Sequence, residues 1–270
     1  MKVLVGADPE LFVRNPNNKQ FVSGHGMIQG TKYQPFKVDR GAVQVDGMAL
    51  EFNIDPAETA AEFFENINTV RARLQRMVPG YELVADPVAE FSDEVINSQP
   101  KEALELGCEP DFCAWTGEVN PRPDGAVSFR SGAGHIHIGW CDGADVRSKN
   151  HLADCYAMVK QMDYYTGVHS LLWDPDNRRR SLYGKAGAFR PKPYGVEYRT
   201  LSNAWLRDPR LIRWIYLATT RAANDLAEGK AAFEKYGELA RELIDNNVTD
   251  WPTKHKLDIP VAVPPAQKAA

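Results

Sequence analysis

The chain has 270 residues, of which 43% are hydrophobic and 25% charged, as expected of a globular protein with a full core. Its formal net charge of -4 argues against binding nucleic acid through the surface as a whole, and no apolar run is long enough to cross a bilayer. Four cysteines in a chain of this length do not indicate a disulfide framework. The first residues lack the features of a secretion signal, so a cytoplasmic location is expected.

Short apolar runs bounded by Gly, Pro and Asn predict strands in the first two-thirds of the chain. These runs cover residues 3–5, 11–13, 43–54 and 135–140. The long Gly-, Pro- and Asn-rich stretches 14–41 and 120–134 are typical of functional loops rather than simple connections.

Helices are predicted at four places. Asp55 followed by Pro56 supplies a cap and a proline at the first helical position, and apolar residues then recur at helical spacing from Phe63 to Leu74. Further helices are predicted over residues 152–172, from Asp208-Pro209 onward, and over residues 231–244.

Strands and helices do not alternate strictly, which disfavours a doubly wound parallel sheet. The order predicts an α+β fold, with a curved, largely antiparallel sheet and helices packed on its outer face. No linker-like stretch divides the chain, so one domain is expected over residues 1–260, followed by a disordered tail over residues 261–270.

An acid-Pro-acid motif occurs twice, as Asp8-Pro9-Glu10 and as Glu109-Pro110-Asp111. Residues two apart on a strand lie on the same face, roughly 6.5 Å apart, so each copy presents two carboxylates suited to holding an ion. Because proline cannot donate to a sheet ladder, each copy is expected at a strand start or an edge. Asp-Pro turns with solvated acids are the alternative interpretation.

Two later segments repeat this alternation. In Gly134-His135-Ile136-His137, both histidines leave one face of the strand while isoleucines enter the core, a pattern typical of ligands or phosphate contacts. In Glu197-Tyr198-Arg199, a carboxylate and a guanidinium share a face, although the spacing alone favours a cross-strand salt bridge.

A run of basic residues lies directly before Glu197. Such a run is usually a solvated surface, but its position next to acids favours phosphates held between metal ions and arginines. The run comprises Arg178, Arg179, Arg180, Lys185, Arg190 and Lys192.

These motifs resemble, in the same order, three strands of the glutamine synthetases. Residues 6–12 resemble the Gly-x-Glu-Pro-Glu-Phe-Phe strand, residues 132–137 the Gly-x-Gly-x-His-x-His strand, and residues 197–199 the late Glu-x-Arg strand. Residues 46–54 and 179–203 further resemble the bacteriophage carboxylate-amine ligases of that superfamily. One departure is Asp8, which stands where the glutamine synthetases have a Glu.

The resemblance implies ATP-dependent formation of an amide bond through an acyl phosphate, with Mg²⁺ or Mn²⁺ as cofactor. The implied metal ligands are Asp8, Glu10, Glu51, His135 and Glu197. The implied nucleotide contacts are His137, Lys185, Arg190 and Arg178. The implied catalytic residues are Arg199, Arg179 and Arg180, while the roles of Asp46, Glu109 and Asp111 stay open.

The implied substrates are a small-molecule or peptide carboxylate and an amine, in the cytoplasm of a phage-infected bacterium, with no membrane partner. The sequence names neither substrate and leaves the oligomeric state open. Two other functions remain: a metal-dependent hydrolase that activates water with the same acids and histidines, and a non-catalytic phage protein that keeps the fold.

Overall fold

A computed structural model describes residues 2–104, 111–121 and 127–264 of the chain. The strands within these ranges are β1 (Leu4–Arg14), β2 (Phe21–Val22), β3 (Phe36–Val38), β4 (Gly41–Asp46), β5 (Ala49–Ile54), β6 (Glu82–Val84), β7 (Val88–Glu90), β8 (Phe112–Cys113), β9 (Phe129–Ser131), β10 (Gly134–Gly139), β11 (Ala188–Lys192) and β12 (Gly195–Tyr198). The main sheet follows the strand order β3-β4-β5-β1-β10-β12-β11-β8, while β2 and β6 pair with other parts of β1 and β7 pairs with β9.

The helices pack on the apolar face of this sheet, where α1 (Ala60–Met77) contacts β5 and α4 (Lys149–Met162) contacts β12. All strand pairs in the described residues are antiparallel, which confirms the predicted α+β class. The helices are α1 (Ala60–Met77), α2 (Asp93–Asn97), α3 (Lys101–Leu104), α4 (Lys149–Met162), α5 (Val168–Ser170), α6 (Asn177–Leu182), α7 (Pro209–Ala227), α8 (Ala232–Asp245) and α9 (Trp251–Lys254), with a π-helical segment at Asp163–Gly167 and a 3-10 helix at Asn203–Arg207.

Alternation along the strands separates the core from a polar face. On β1, Val5 and Leu11 enter the core, whereas Asp8 and Glu10 line a cavity on the other side. The same period of two sorts β4, β5, β10, β11 and β12, because successive side chains of a strand point to opposite faces. Polar residues from distant parts of the sequence therefore meet above one face of the sheet.

The prediction that the first acid-Pro-acid motif occupies a strand start or an edge is wrong. Pro9 lies in the middle of β1, which is one continuous central strand rather than two short ones. The ladder to β10 ends at Pro9 and Gly134, and the ladder to β5 begins at Glu10 and Glu51. The strand changes neighbours at the residue that lacks an N–H, so the missing donor interrupts neither ladder.

Two other element boundaries differ from the prediction. Residues 43–54 form the hairpin of β4 and β5 rather than one run, with Gly47 at a φ of 57° in the turn after Asp46. The first helix is capped by Thr59, whose side chain accepts a hydrogen bond from the Glu62 N–H. Residues 55–58 stay outside that helix because the N–H and C=O of Ala57 both bond to Val5.

Later helices agree more closely with the sequence. Asp208 caps α7 with Pro209 at its first position, as predicted, and α8 matches the predicted fourth helix within one residue. The predicted helix over residues 152–172 begins earlier, at Lys149, and changes to π-helical geometry at Asp163.

The first residues of the predicted disordered tail are packed in the structure. Val261 and Val263 pack against the core, and the Val261 carbonyl accepts a hydrogen bond from Trp214 at 3.3 Å, so the chain is packed at the start of the tail predicted to be disordered. Residues 265–270 lie outside the described ranges. No helix among the described residues is long and apolar enough to cross a membrane.

Candidate active site

A cavity of about 770 Å³ lies over the polar face of the sheet. It runs across β4, β5, β1, β10, β12 and β11, so residues from both halves of the chain share its wall. The ionisable residues of its lining include the acids Asp8, Glu10, Asp46, Glu51, Asp111 and Glu197, the histidines His135 and His137, and the bases Arg130, Arg179, Arg190, Lys192 and Arg199.

A group with metal-ligand spacing lies on the three central strands. One ligand atom from each of Asp8, His137 and Glu197 lies within 4.8 Å of the others. His137 Nε2 is 3.0 Å from Asp8 Oδ2, yet Nε2 and Asp8 Oδ1 are buried atoms with no hydrogen-bond partner among the described residues. Two carboxylates and an imidazole with unsatisfied buried atoms fit a divalent cation such as Mg²⁺ or Mn²⁺.

His137 rather than His135 completes this group among the described residues. The resemblance to the glutamine synthetases instead implies His135 as the metal ligand and His137 as the nucleotide contact. His135 Nδ1 lies 3.4 Å from both Asp8 Oδ1 and Glu197 Oε1, and 3.4 Å from Arg199 Nη1. Burial, and then the nearby Arg199 guanidinium, lowers the pKa of His135, which keeps this imidazole neutral beside the acids.

The two acids of the group are charged at neutral pH. Burial alone would raise the pKa of Asp8, but the opposing effect of His137 and His135 holds the pKa below its usual range. Burial likewise opposes ionisation of Glu197, but Arg199 and the histidines hold its pKa well below the ordinary value. Both side chains are therefore carboxylates that can bind a cation.

A second acidic cluster lies beside the first, where Glu10 on β1 pairs directly with Glu51 on β5. Burial, followed by repulsion from Asp46, raises the pKa of Glu10 to about 8. Burial and the nearby acids also raise the pKa of Glu51 well above its usual value, although Gln44 Nε2 donates to it at 2.8 Å. Ionisation of both acids is therefore disfavoured here, and a bound cation would favour it.

Basic residues surround Glu197 on the opposite side. Lys192 Nζ lies 2.7 Å from Glu197 Oε2, Arg190 Nη1 lies 3.4 Å from the same atom, and Arg199 Nη1 contacts Oε1. Arg190 and Lys192 are two apart on β11, so both reach the cavity from one strand face. We call these three residues, Arg190, Lys192 and Arg199, the basic wall.

Arg179 and Arg180, predicted to be catalytic, are buried in α6 and donate hydrogen bonds to backbone carbonyls of other segments. Arg179 donates to the carbonyls of Thr200 at 2.8 Å and Leu201 at 2.9 Å, although part of it lines the cavity. Arg180 donates to the Asp174 carbonyl at 3.0 Å and is not part of the cavity lining. A buried guanidinium needs several acceptors, and here backbone oxygens supply them. The structure therefore does not bring Arg180 to the site, which corrects that prediction.

Arg178 and Lys185, predicted to contact nucleotide, also lie outside the cavity lining. Arg178 is exposed and pairs with Asp176, with Nη2 and Oδ2 2.6 Å apart, and with Glu90. Lys185 contributes its carbonyl to a 3.0 Å hydrogen bond from Thr200. Both positions correct the prediction. Arg178 lies in the short helix α6, whose successive side chains point in different directions, and Lys185 lies beyond the end of that helix.

The second acid-Pro-acid motif is described only in part. Glu109 lies outside the described residues. Asp111 lines the cavity, where its Oδ2 lies 3.2 Å from Arg199 Nε and its Oδ1 accepts a 3.0 Å hydrogen bond from Asn120. Asp111 therefore supports the orientation of Arg199.

Among the lining residues that sequence reasoning missed are Arg130, Tyr183 and Tyr194. The Tyr194 hydroxyl contacts His137 Nδ1 from the turn between β11 and β12. By contrast, Lys192 belongs to the basic run that the sequence shows, and its alternation with Arg190 is a usable signal. Tyr194 had none, because only the β10–β12 pairing brings that turn beside His137.

The cavity thus has the composition of a site for divalent cations and an anionic ligand. Residues 122–241 match the sequence profile of the family described as phage phiEco32-like COOH.NH2 ligase-type 2. Over that part of the chain, the match confirms the resemblance to carboxylate-amine ligases indicated by the motifs. It includes the basic wall, both histidines and Glu197, and it leaves out β1, β4 and β5.

Solved structures also resemble the chain. One is described as a GmaS/ADP complex, with 12% identity and a TM-score of 0.36 over 82% of this chain and 56% of that chain. Another is described as a novel glutamine synthase homolog, with 13% identity and a TM-score of 0.36 over 82% of this chain and 55% of that chain. The chain thus spans a little over half the length of these proteins. A comparison with curated proteins gives no match.

Proposed function

We propose that the protein is an ATP-dependent carboxylate-amine ligase that forms an amide bond through an acyl phosphate. The observation that carries this proposal is that one cavity holds the group Asp8, His137 and Glu197, with Asp8 Oδ1 and His137 Nε2 unsatisfied, next to the basic wall. Acids that hold cations, next to bases that hold phosphate oxygens, are what phosphoryl transfer requires. The family match over residues 122–241 supports the same class of reaction.

The cation site involves Asp8, His137 and Glu197, with Glu10 and Glu51 on the adjoining strands. Mg²⁺ or Mn²⁺ held there would neutralise phosphate charge and orient the terminal phosphoryl group of ATP. Tyr194 contacts His137 Nδ1, and a proton on Nδ1 donated to this hydroxyl leaves the Nε2 lone pair free to bind the cation.

The basic wall faces the transferred phosphoryl group. A carboxylate oxygen of the substrate attacks the terminal phosphorus, the bond to the bridging oxygen breaks, and ADP leaves. Arg199 binds the phosphoryl oxygens during this step, because its planar guanidinium donates to two oxygens at once. The amine then attacks the acyl carbon, phosphate leaves with the former carboxylate oxygen, and the nitrogen loses a proton to a carboxylate of the cavity lining.

Arg130 and Tyr183 are suited to holding the substrate carboxylate. The Nε of Arg130 and the hydroxyl of Tyr183 are buried, line the cavity and have no hydrogen-bond partner among the described residues. The guanidinium is held in place because its Nη1 donates to the carbonyls of Val127 and Phe129, each at 2.9 Å. Buried donors left without partners are costly, and an anionic ligand would satisfy them.

Changing Tyr183 to Phe is expected to raise the KM for the carboxylate substrate, because a buried hydroxyl that donates to an anion is lost. Loss of one hydrogen bond to a charged group corresponds to about tenfold to a hundredfold in affinity. Arg130→Gln should have an effect in the same direction, and neither change should alter nucleotide affinity measured by calorimetry. The matched control is Tyr164→Phe, whose hydroxyl donates to the Asp258 carbonyl away from the cavity. An unchanged KM in both site variants would contradict the assignment.

The function is tested by ADP formation from Mg²⁺-ATP with a panel of amino acids, dicarboxylates and peptides, using hydroxylamine as the amine. The expected result is ADP release that depends on one class of acid and on the metal, together with the corresponding hydroxamate. Hydroxamate without ATP, or peptide hydrolysis without ADP, would overturn the ligase proposal. The latter result would instead support a metal-dependent hydrolase.

A further inference from the structure

A buried carboxylate lies on the other side of the sheet, opposite the basic wall. Asp163 is fully buried at the start of the π-helical segment and is absent from the cavity lining. It accepts hydrogen bonds from Trp115 Nε1 at 2.7 Å and from the Tyr198 hydroxyl at 2.8 Å. Burial raises its pKa to about 7, although these hydrogen bonds oppose that change. Nothing in the proposed chemistry uses this acid directly.

The partners of Asp163 belong to the chain segments that form the basic side of the cavity. Trp115 follows β8, and Tyr198 is the last residue of β12. The Gly187 N–H, directly before β11, also interacts with this carboxylate. A single side chain therefore connects three adjacent strands from behind, and their front faces carry Asp111, Arg190, Lys192, Glu197 and Arg199.

The connection at β12 is direct. Tyr198 stands between Glu197 and Arg199, so its side chain enters the core while those of its neighbours enter the cavity. Thr200 Oγ1, on the same side as Tyr198, lies 3.4 Å from Asp163 Oδ1. A shift of Tyr198 relative to Trp115 would also displace Arg199 relative to Asp111, whose Oδ2 lies 3.2 Å from Arg199 Nε.

The local helix geometry explains how the carboxylate reaches this point. A π-helical turn contains one residue more than an α-helical turn, and such turns occur frequently at functional sites. Here the change begins at Asp163 itself, immediately after α4, which packs on β12. The carboxylate is thus held in a close-packed environment that restricts its movement, so it can fix the positions of the groups that it contacts.

We propose that Asp163 is a positioning residue that fixes the relative placement of β8, β11 and β12, and through them the geometry of Glu197 and Arg199. The catalytic part of this proposal rests on the proposed function. The positional part stands on the hydrogen bonds alone and is measurable in the protein without substrates.

The test is Asp163→Asn, which keeps the shape of the side chain but replaces one of its two acceptor oxygens with an NH₂ group. An NH₂ group cannot accept the hydrogen bonds that the N–H groups of Trp115 and Gly187 donate. The matched control is Asp225→Asn, a nearly buried acid that accepts from the Tyr165 hydroxyl at 2.6 Å and from Arg221, away from the cavity. Two sets of NMR signals report the geometry: the Trp115 indole N–H, assigned with Trp115→Phe, and the ring nitrogens of His135 and His137. Mn²⁺ affinity measured by calorimetry provides a third readout.

In Asp163→Asn, we expect shifted signals for the Trp115 indole and for His135 or His137, and a loss of about tenfold in Mn²⁺ affinity, as for other residues that orient metal ligands. Asp225→Asn should change none of these. If Asp163→Asn does not fold, Tyr198→Phe removes one of the hydrogen bonds and should move the same histidine signals. Unchanged histidine signals in a folded variant, whether or not the indole signal shifts, would overturn the positioning role. If the wild type binds no Mn²⁺, the proposed cation site fails, while the histidine signals still decide the role of Asp163.

Discussion

Replacement of Arg199 by Lys is expected to slow ADP formation by about a hundredfold or more while leaving nucleotide affinity nearly unchanged. The guanidinium contacts Glu197 through Nη1 and lies 3.2 Å from Asp111 Oδ2 through Nε, so its plane is fixed before any ligand arrives. Lysine keeps the charge but has a single ammonium, which cannot meet both acids and also bind two phosphoryl oxygens. The loss should therefore appear in kcat rather than in ground-state binding.

The measurement is the rate of ADP release at saturating Mg²⁺-ATP, together with the affinity for ADP. Arg178→Lys is the matched control, because the same exchange is made in a residue that pairs with Asp176 and Glu90 at the surface. It should retain wild-type rates. A wild-type rate in Arg199→Lys would exclude this residue from the phosphoryl-transfer step.

Glu197→Gln is expected to weaken both cation binding and the fold. Glu197 is only 1% exposed and is surrounded by Lys192, Arg199 and Arg190, so an uncharged amide leaves positive groups without compensation. Breaking a buried ion pair from one side typically costs about 3–5 kcal/mol of unfolding free energy. Mn²⁺ affinity should fall as well, because one of the two charged ligands of the group is lost.

This effect on stability should depend on pH. Burial alone would raise the pKa of Glu197, but Arg199 and the histidines hold this pKa well below the ordinary value of 4.5. A carboxyl with a lowered pKa in the folded state stabilises the protein above its unfolded-state pKa, and that contribution is lost as the pH falls toward the folded-state pKa. In metal-free buffer, the difference in unfolding free energy between wild type and Glu197→Gln should therefore be largest near neutrality and shrink on acidification below about pH 4.5.

Glu82→Gln is the matched control for stability. Glu82 also pairs with two basic residues, Arg14 and Lys19, but at the surface, where water screens the charges. Its replacement should change stability far less than replacement of Glu197. Equal effects of the two substitutions would show that the buried surroundings of Glu197 are unimportant.

The alternation of polar and apolar residues was sufficient to place much of the site. Asp8 with Glu10, His135 with His137, and Glu197 each follow a period of two, and the structure lines one cavity with all of them. The start of α7 was also predicted correctly, because Asp208 is suited to the cap position and Pro209 to the first helical position.

Other features depend on tertiary contacts that no local pattern contains. Which histidine joins Asp8 is decided by side-chain directions across the β1–β10 pair, and strand spacing treats both alike. Arg180 turns inward because Asp174 provides acceptors there. Pro9 is tolerated in a central strand only because the neighbouring ladders change at that residue, which requires knowledge of both partners.

The pairing of β1 with β10 also has a consequence for how the chain folds. It sets Asp8 directly opposite His135 and so joins two of the strands that carry the proposed cation ligands, although these strands are distant in the sequence. Contacts of such long range form only after a large entropic cost of loop closure, and they tend to appear late in folding. Helices such as α7 need no such closure. In a refolding chain, capacity to bind a cation should therefore return with the long-range sheet rather than with helical structure. A fragment restricted to residues 122–241 would contain both histidines and Glu197 without the carboxylates of β1 and β5, which is half of a binding site.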